Sequence, residues 1–244
     1  MEQHTQTARA ALIEASDLLD SLMPKLDALR TDVELKADDT PVTAADLLVQ
    51  QKLETLLRAR LPDLTFVGEE ESAGWEAEPT GWVAVVDPID GTENFASSLV
   101  EWGTAISIFH TGVHSASMIT LPELRRRIIT GDTLAYAQSR IAGFSSGMNQ
   151  TLVDRIAQAP QARIYGAAVY NFFGVVTGRL ASFTNPVGAY SWDVLAGLSL
   201  AREHNCEVFV DDEPYDGRYL EPGRRYRVEV HHRYDRHPRQ GSLG

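Results

Sequence analysis

The stretch from Trp82 to Phe95 leaves this chain few options. It reads Trp-Val-Ala-Val-Val-Asp-Pro-Ile-Asp-Gly-Thr-Glu-Asn-Phe. Val83 to Val86 is a continuous run of small and β-branched apolar residues, the pattern of a strand buried on both faces. Pro88 and Gly91 force a turn, so Asp87 and Asp90 leave the mouth of that strand in one tight loop. Two anions buried so close together are unfavourable without a cation. Hard oxygen ligands suit Mg²⁺ or Mn²⁺ and not zinc. Gly91 admits close backbone approach, and Thr92 stands where a helix can begin, with free N–H groups for an anion such as phosphate. An Asp-Pro turn capping a strand has the same Asp-x-x-Asp spacing. The strand before it and the Gly-Thr after it turn the expectation to a metal and phosphate site.

Other segments place acids in comparable positions. Apolar residues recur at three- and four-residue spacing from about Thr7 to Arg30, which predicts an amphipathic helix interrupted by Pro24. A short extended piece, Val33 to Lys36, precedes a turn from Ala37 to Pro41. Lys36 reads as a surface lysine placed to meet a metal or phosphate. Thr43 and Asp46 have capping-box spacing at the head of a helix running to about Arg60. Leu64 to Val67 reads as a strand ending in Gly68-Glu69-Glu70-Glu71. Two neighbouring strands ending in carboxylates converge on one crevice, where open α/β sheets bind ligands.

Past the central loop, a short helix is expected over Asn94 to Val100, then paired strands Gly103 to Phe109 and Val113 to Ile119, with Arg126 to Thr130 as a third. His110 and His114 read as hairpin surface residues. From about Leu134 strands and helices alternate: helix Gln150 to Ala157, strand Arg163 to Tyr165, helix Ala167 to Thr177, strand Leu180 to Phe183. Ser191-Trp192-Asp193 opens a helix to Glu203, with Asp193 as a favourable cap. Strands Glu207 to Val210 and Tyr226 to Val230 follow, then a basic tail from His231 that reads as a frayed or edge segment. We divide the chain into an N-terminal α+β lobe, 1–135, and a C-terminal α/β lobe, 136–244, packed as one unit because no linker separates them.

Composition narrows the function. A net charge of −12 over 244 residues argues against a nucleic-acid surface. It does not oppose a phosphorylated substrate, because bound divalent ions reverse the local field. The single cysteine, Cys206, excludes an intramolecular disulfide and sits before an apolar run as a buried thiol. With neither a signal-peptide pattern nor a membrane-spanning run, the expectation is a soluble cytoplasmic protein with no membrane partner.

Four segments, in order, resemble the inositol monophosphatase family of metal-dependent phosphatases. They are Pro-Val-Thr-Ala-Ala-Asp at 41–46, Gly-Glu-Glu at 68–70, Asp-Pro-Ile-Asp-Gly-Thr-Glu-Asn-Phe at 87–95, and Trp-Asp at 192–193. The resemblance implies an α/β fold, a layered αβαβα sandwich with its site between the lobes. It implies two or three Mg²⁺ ions held by Glu69, Asp87, Asp90, Asp193 and the backbone carbonyl of Ile89, with Mn²⁺ as a substitute. By the same pattern Asp46, Thr92 and Glu69 are catalytic, with Thr92 and Asp46 orienting and activating the attacking water. Gly91 and Thr92 offer backbone N–H groups to the phosphate, and Glu70 and Lys36 support the ligands. Lithium sensitivity, a homodimer and a small-molecule phosphate ester as substrate are likewise implied.

Departures from the pattern bear on the substrate. Thr184-Asn185-Pro186 stands where inositol monophosphatases place an acid against the inositol hydroxyls, and the mid-chain hairpin is shortened to Leu121–Arg127. Glu101-Trp102-Gly103-Thr104 resembles histidinol-phosphate phosphatases. Histidinol phosphate, a sugar phosphate and an inositol phosphate are the candidate substrates. The alternatives are a fructose-1,6-bisphosphatase-like enzyme, a nucleotide 3′-phosphatase using Arg125-Arg126-Arg127 for a second phosphate, and a non-catalytic metal- or phosphate-binding module.

Overall fold

The computed structural model describes residues 2–36, 41–70 and 80–234. Most of the turn expected at 37–41, Glu71 and the tail from Asp235 lie outside them. The N-terminal half is built from helix α1 (Glu2–Leu29), the hairpin β1 (Val33–Leu35) and β2 (Pro41–Thr43), and helix α2 (Ala44–Arg60). Strands β3 (Thr65–Gly68) and β4 (Trp82–Asp90), helix α3 (Thr92–Ala96), and strands β5 (Gly103–His110), β6 (Val113–Leu121) and β7 (Arg126–Ile129) follow. The C-terminal half contains β8 (Ala142–Phe144), α4 (Gln150–Gln158), β9 (Ala162–Ile164), α5 (Ala168–Val176), β10 (Ser182–Ala189) and α6 (Ser191–Glu203). It ends with β11 (Glu207–Val210), β12 (Glu213–Pro214) and β13 (Tyr226–His231).

Side chains alternate faces along a strand, and β4 shows what that does to the layering. Trp82, Ala84 and Val86 join a cluster with Leu12 and Leu19 of α1 and Val49 and Leu53 of α2. Val83 and Val85 join a second cluster with Phe172 of α5 and Leu195 and Leu198 of α6. Every residue of β4 is buried, which is why this run carries no polar alternation. The five-stranded sheet β3-β4-β5-β6-β7 therefore lies between two helical layers. The six-stranded sheet, in the order β12-β11-β13-β10-β8-β9, sends Phe183, Val208, Val228 and Val230 into the same cluster as α5 and α6. Its other face carries α4, giving α, β, α, β, α in succession.

Several elements depart from expectation. Strand β4 continues past Val86 to Asp90, because Asp87 pairs with Ala105 and Asp90 with Gly103 across an irregularity in register. Helix α3 occupies 92–96 instead of 94–100. Gly91 adopts φ 92° and its carbonyl accepts the Phe95 N–H at 2.9 Å, so the helix starts two residues early. Strand β8 was not expected; it is a short Ala-Gly-Phe made extended by parallel pairing with β10 and β9. His114 is not a surface residue. It is half-buried, edge-on to Phe109 at 5.6 Å, with Nε2 2.8 Å from the Ser117 hydroxyl. The tail is not frayed at its start: His232 is buried and donates its N–H to the Ala181 carbonyl, and the Tyr234 hydroxyl donates to Ser139 O at 2.9 Å.

Candidate active site

Strands β3 and β4 run parallel, with Gly68 beside Val86, so their carboxyl ends deliver Glu69 and Asp87 to the same place. Glu69 is tied there by its backbone N–H, which bonds the Val86 carbonyl at 3.2 Å. Asp193 arrives from the first turn of α6, its Oδ2 accepting the Tyr190 N–H at 2.7 Å. Ligand oxygens of Glu69, Asp87 and Asp193 lie within 4.8 Å of one another. Asp90 joins them from the end of β4, its Oδ2 accepting the Val169 N–H at the start of α5.

Asp87 and Asp90 are buried, and Glu69 and Asp193 are half-buried. Asp87 is 1% exposed, and neither carboxylate oxygen meets a hydrogen-bond donor among the described residues. Burial, then the charges of Glu69, Asp90, Asp193 and Asp46, push its carboxyl well above the ordinary range. Asp193 is raised by burial and by the neighbouring Asp90 and Glu69. Asp90 is raised by burial, against the opposing pull of the Val169 and Ala168 N–H groups. Two orphaned oxygens inside a ring of acids fit a hard divalent cation. Glu69, Asp87, Asp90 and Asp193 are the side chains that could hold it.

The remaining expected residues surround this centre. Asp46 is fully buried and divided in its contacts. Its Oδ2 accepts the Thr43 N–H at 2.8 Å and the Thr43 hydroxyl, while Oδ1 lies 3.2 Å from the Thr92 hydroxyl. The cap and the contact with Thr92 are thus compatible readings of one side chain. The Thr92 hydroxyl also reaches Ile89 O at 3.1 Å. Thr104 donates to the adjacent Pro88 carbonyl at 2.8 Å. A Cβ on Gly91 would lie 2.8 Å from the Ala167 Cβ, so the loop closes there only with glycine. Lys36 is not a solvated surface lysine: its ammonium lies 2.8 Å from Glu69 and 2.7 Å from Glu70. Burial alone would lower Lys36, but the two glutamates hold it above its usual value. Glu70 is raised to about 7 by burial and the charge of Glu69, with Lys36 opposing.

Beside Asp90 and Asp193 opens a cavity of about 270 Å³, walled by Ser145, Asn171, Asn185 and Arg225 among others. Sequence reading singled out Asn185 as bearing on the substrate, but not Ser145 or Arg225, since no motif joins the residue after β8 to the approach to β13. It also missed Asn94, whose amide donates to the Glu101 and Tyr165 carbonyls, both at 2.6 Å, and so ties α3 to both neighbouring loops. Arg125, Arg126 and Arg127 do not line this cavity. They stand beside α1, with Arg127 3.5 Å from Asp17.

Residues 1–140 match the inositol monophosphatase family. The chain belongs to the inositol monophosphatase family. Among curated relatives, the histidinol-phosphatase of Mycobacterium tuberculosis is 35% identical over 117 residues, 48% of this chain and 44% of that protein. The 3′(2′),5′-bisphosphate nucleotidase of Escherichia coli is 33% identical over 106 residues, 42% of this chain and 43% of that one. The chain thus spans less than half the length of these two relatives. Among solved structures, an IMPase/NADP phosphatase complexed with Mg²⁺ and phosphate superposes with a TM-score of 0.78 at 19% identity, covering 93% of this chain and 91% of that one. A staphylococcal inositol monophosphatase soaked in LiCl gives 0.77 at 19% identity, covering 93% and 90%. The layered fold of this member is therefore the family's. No helix among the described residues is long and apolar enough to cross a membrane.

Proposed function

We propose that this protein is a Mg²⁺-dependent phosphatase that hydrolyses a small-molecule phosphate monoester by direct attack of water. The observation that carries the reading is Asp87, buried among Glu69, Asp90 and Asp193 with both oxygens unpartnered. Glu69, Asp87, Asp90, Asp193 and the Ile89 carbonyl would hold the cations. When bound, divalent ions supply charge stabilisation at the phosphoryl oxygens and lower the pKa of water.

The chain's own residues do the rest. Asp46 Oδ1 and the Thr92 hydroxyl hold the attacking water, and Asp46 takes its proton while Oδ2 stays anchored to the helix cap. Gly91 and Thr92 present backbone N–H groups to the phosphate. Lys36 fixes Glu69 and Glu70 in position. No side chain is required as a covalent phosphate carrier. We take the protein to act as a homodimer, as the family resemblance implies.

The reading is tested by phosphate release in Mg²⁺ from histidinol phosphate, inositol 1-phosphate, fructose 1,6-bisphosphate and adenosine 3′,5′-bisphosphate. Turnover that disappears in chelator and in Asp90→Asn supports it. Mg²⁺ binding without turnover of any ester would leave a binding module, and absence of Mg²⁺ binding would remove the reading altogether.

A further inference from the structure

The cavity beside Asp90 and Asp193 carries charge of one sign at its catalytic end and the other at its rim. Its charged lining residues, among those described, are Asp90, Asp193 and Arg225. Arg224 and Arg227, on either side of Arg225, pair with Asp211 and Asp212. Arg225 has no such pairing among the described residues and is directed elsewhere. Its guanidinium lies 4.6 Å from the centre of the Tyr190 ring, and Nη1 donates to Gly188 O at 3.3 Å. Tyr190 in turn stacks on Trp192, with ring centres 4.7 Å apart and planes 20° apart. The backbone N–H of the same Tyr190 holds Asp193. One stacked column thus sets a cation at the cavity rim relative to a candidate metal ligand. Stacked arginine is pre-organised and binds oxyanions through a planar fork.

Two residues of the cavity lining carry buried polar atoms without a partner. Asn171 is 1% exposed and its Oδ1 has no partner, while its amide nitrogen donates to Ala167 O at 2.8 Å. Ser145 Oγ is buried and also unpartnered. Both residues line the cavity, whose lining is neutral apart from Asp90, Asp193 and Arg225. No carboxylate apart from the candidate metal ligands is available there for an ammonium group.

Building on the phosphatase reading, we infer that Arg225 is a specificity-determining residue that binds a second anionic group on the leaving alcohol. The preferred substrate is then a hydroxylated phosphate monoester that also carries a carboxylate or another phosphate. The cation-to-anion contact forms in the bound ester and is kept as the P–O bond breaks, so it acts mainly on KM.

Matched pairs of esters decide it. In Mg²⁺, kcat and KM are measured for 3-phosphoglycerate against glycerol 3-phosphate, and for fructose 1,6-bisphosphate against fructose 6-phosphate, with histidinol phosphate alongside. The first pair isolates a carboxylate and the second a phosphate. The wild type is expected to favour the anionic member of at least one pair. Arg225→Gln should lower that kcat/KM ratio about fivefold to tenfold, chiefly through KM, and Arg225→Lys should restore part of it. A ratio unchanged in Arg225→Gln, or a wild type that prefers histidinol phosphate, overturns the inference while leaving the phosphatase reading intact. If no ester is turned over, the phosphatase reading fails by itself. Calorimetric binding of 3-phosphoglycerate to wild type and Arg225→Gln then decides the role of Arg225 on its own, equal affinities counting against it.

Discussion

Asp46 and Thr92 meet with Asp46 Oδ1 3.2 Å from the Thr92 hydroxyl, although one opens α2 and the other opens α3. The same carboxylate caps its own helix through Oδ2, so a structural bond and a bond to the candidate nucleophile's holder share one group. Asp46→Asn and Thr92→Ala are each expected to lower kcat by about 10²- to 10⁴-fold, the range of a lost general base. Thr43→Ala removes a side-chain cap and is expected to cost about 1 kcal/mol of stability. Steady-state kinetics beside thermal melts separates the two. A kinetic loss in Asp46→Asn fully explained by unfolding would count against the catalytic role.

Asp87 predicts how the protein responds to metal. Saturating Mg²⁺, at about a hundred times its Kd, should stabilise the fold by about 2.7 kcal/mol, raising Tm by about 5–10 °C. Asp87→Asn removes a buried charge from the ring of acids. It should melt above the wild type in chelator and lose most of the Mg²⁺-dependent rise. Differential scanning calorimetry with and without EDTA gives both quantities, and a wild type indifferent to EDTA would contradict the metal assignment.

Gly197 illustrates a close approach between helices α5 and α6. A Cβ there would lie 2.0 Å from Cγ of Phe172, inside the core. Alanine for glycine inside a helix is ordinarily favourable by about 1 kcal/mol. Here the clash reverses the sign, and Gly197→Ala is expected to destabilise by about 1–3 kcal/mol in urea unfolding. A stabilised variant would show that the two helices can separate at no cost.

His114 gives a pH dependence whose sign can be worked out. Burial, and secondarily the charge of Arg202, lower it from its ordinary value of 6.5 to about 4. Between those values the unfolded chain binds the proton and the folded chain does not. The stabilisation is therefore complete above about pH 6.5 and is lost as pH falls toward 4, by on the order of 2–3 kcal/mol. His114→Gln should flatten that part of the Tm-versus-pH curve relative to wild type. Parallel curves for the two proteins would refute the assignment.

Much of the site's scaffold was legible locally. The run from Val83 to Gly91 contains its own strand, its own turn residues and the start of its own helix, all acting over a few positions. The Thr43–Asp46 capping box is likewise an interaction across one turn. The apolar stripe of α1 was readable too, with Ala8, Leu12, Ala15 and Leu19 buried. Where expectation failed, the deciding contacts were distant. Strand β8 carries a weak local signal and is extended because β9 and β10 pair with it. His114 looked exposed beside its hairpin, but Phe109 and Ser117 enclose it.

By itself the sequence determined which segments are strands and helices around the central loop, and which acids stand at their ends. Capping, turn chemistry and hydrophobic periodicity act between near neighbours and leave their mark in consecutive residues. Only the tertiary structure decided that Lys36 is clasped by Glu69 and Glu70, and that Arg225 shares a cavity with Asp90. Those encounters follow from how two sheets and the helices between them stack. Contact across layers is set by packing and chain path, which no local pattern of residue types records.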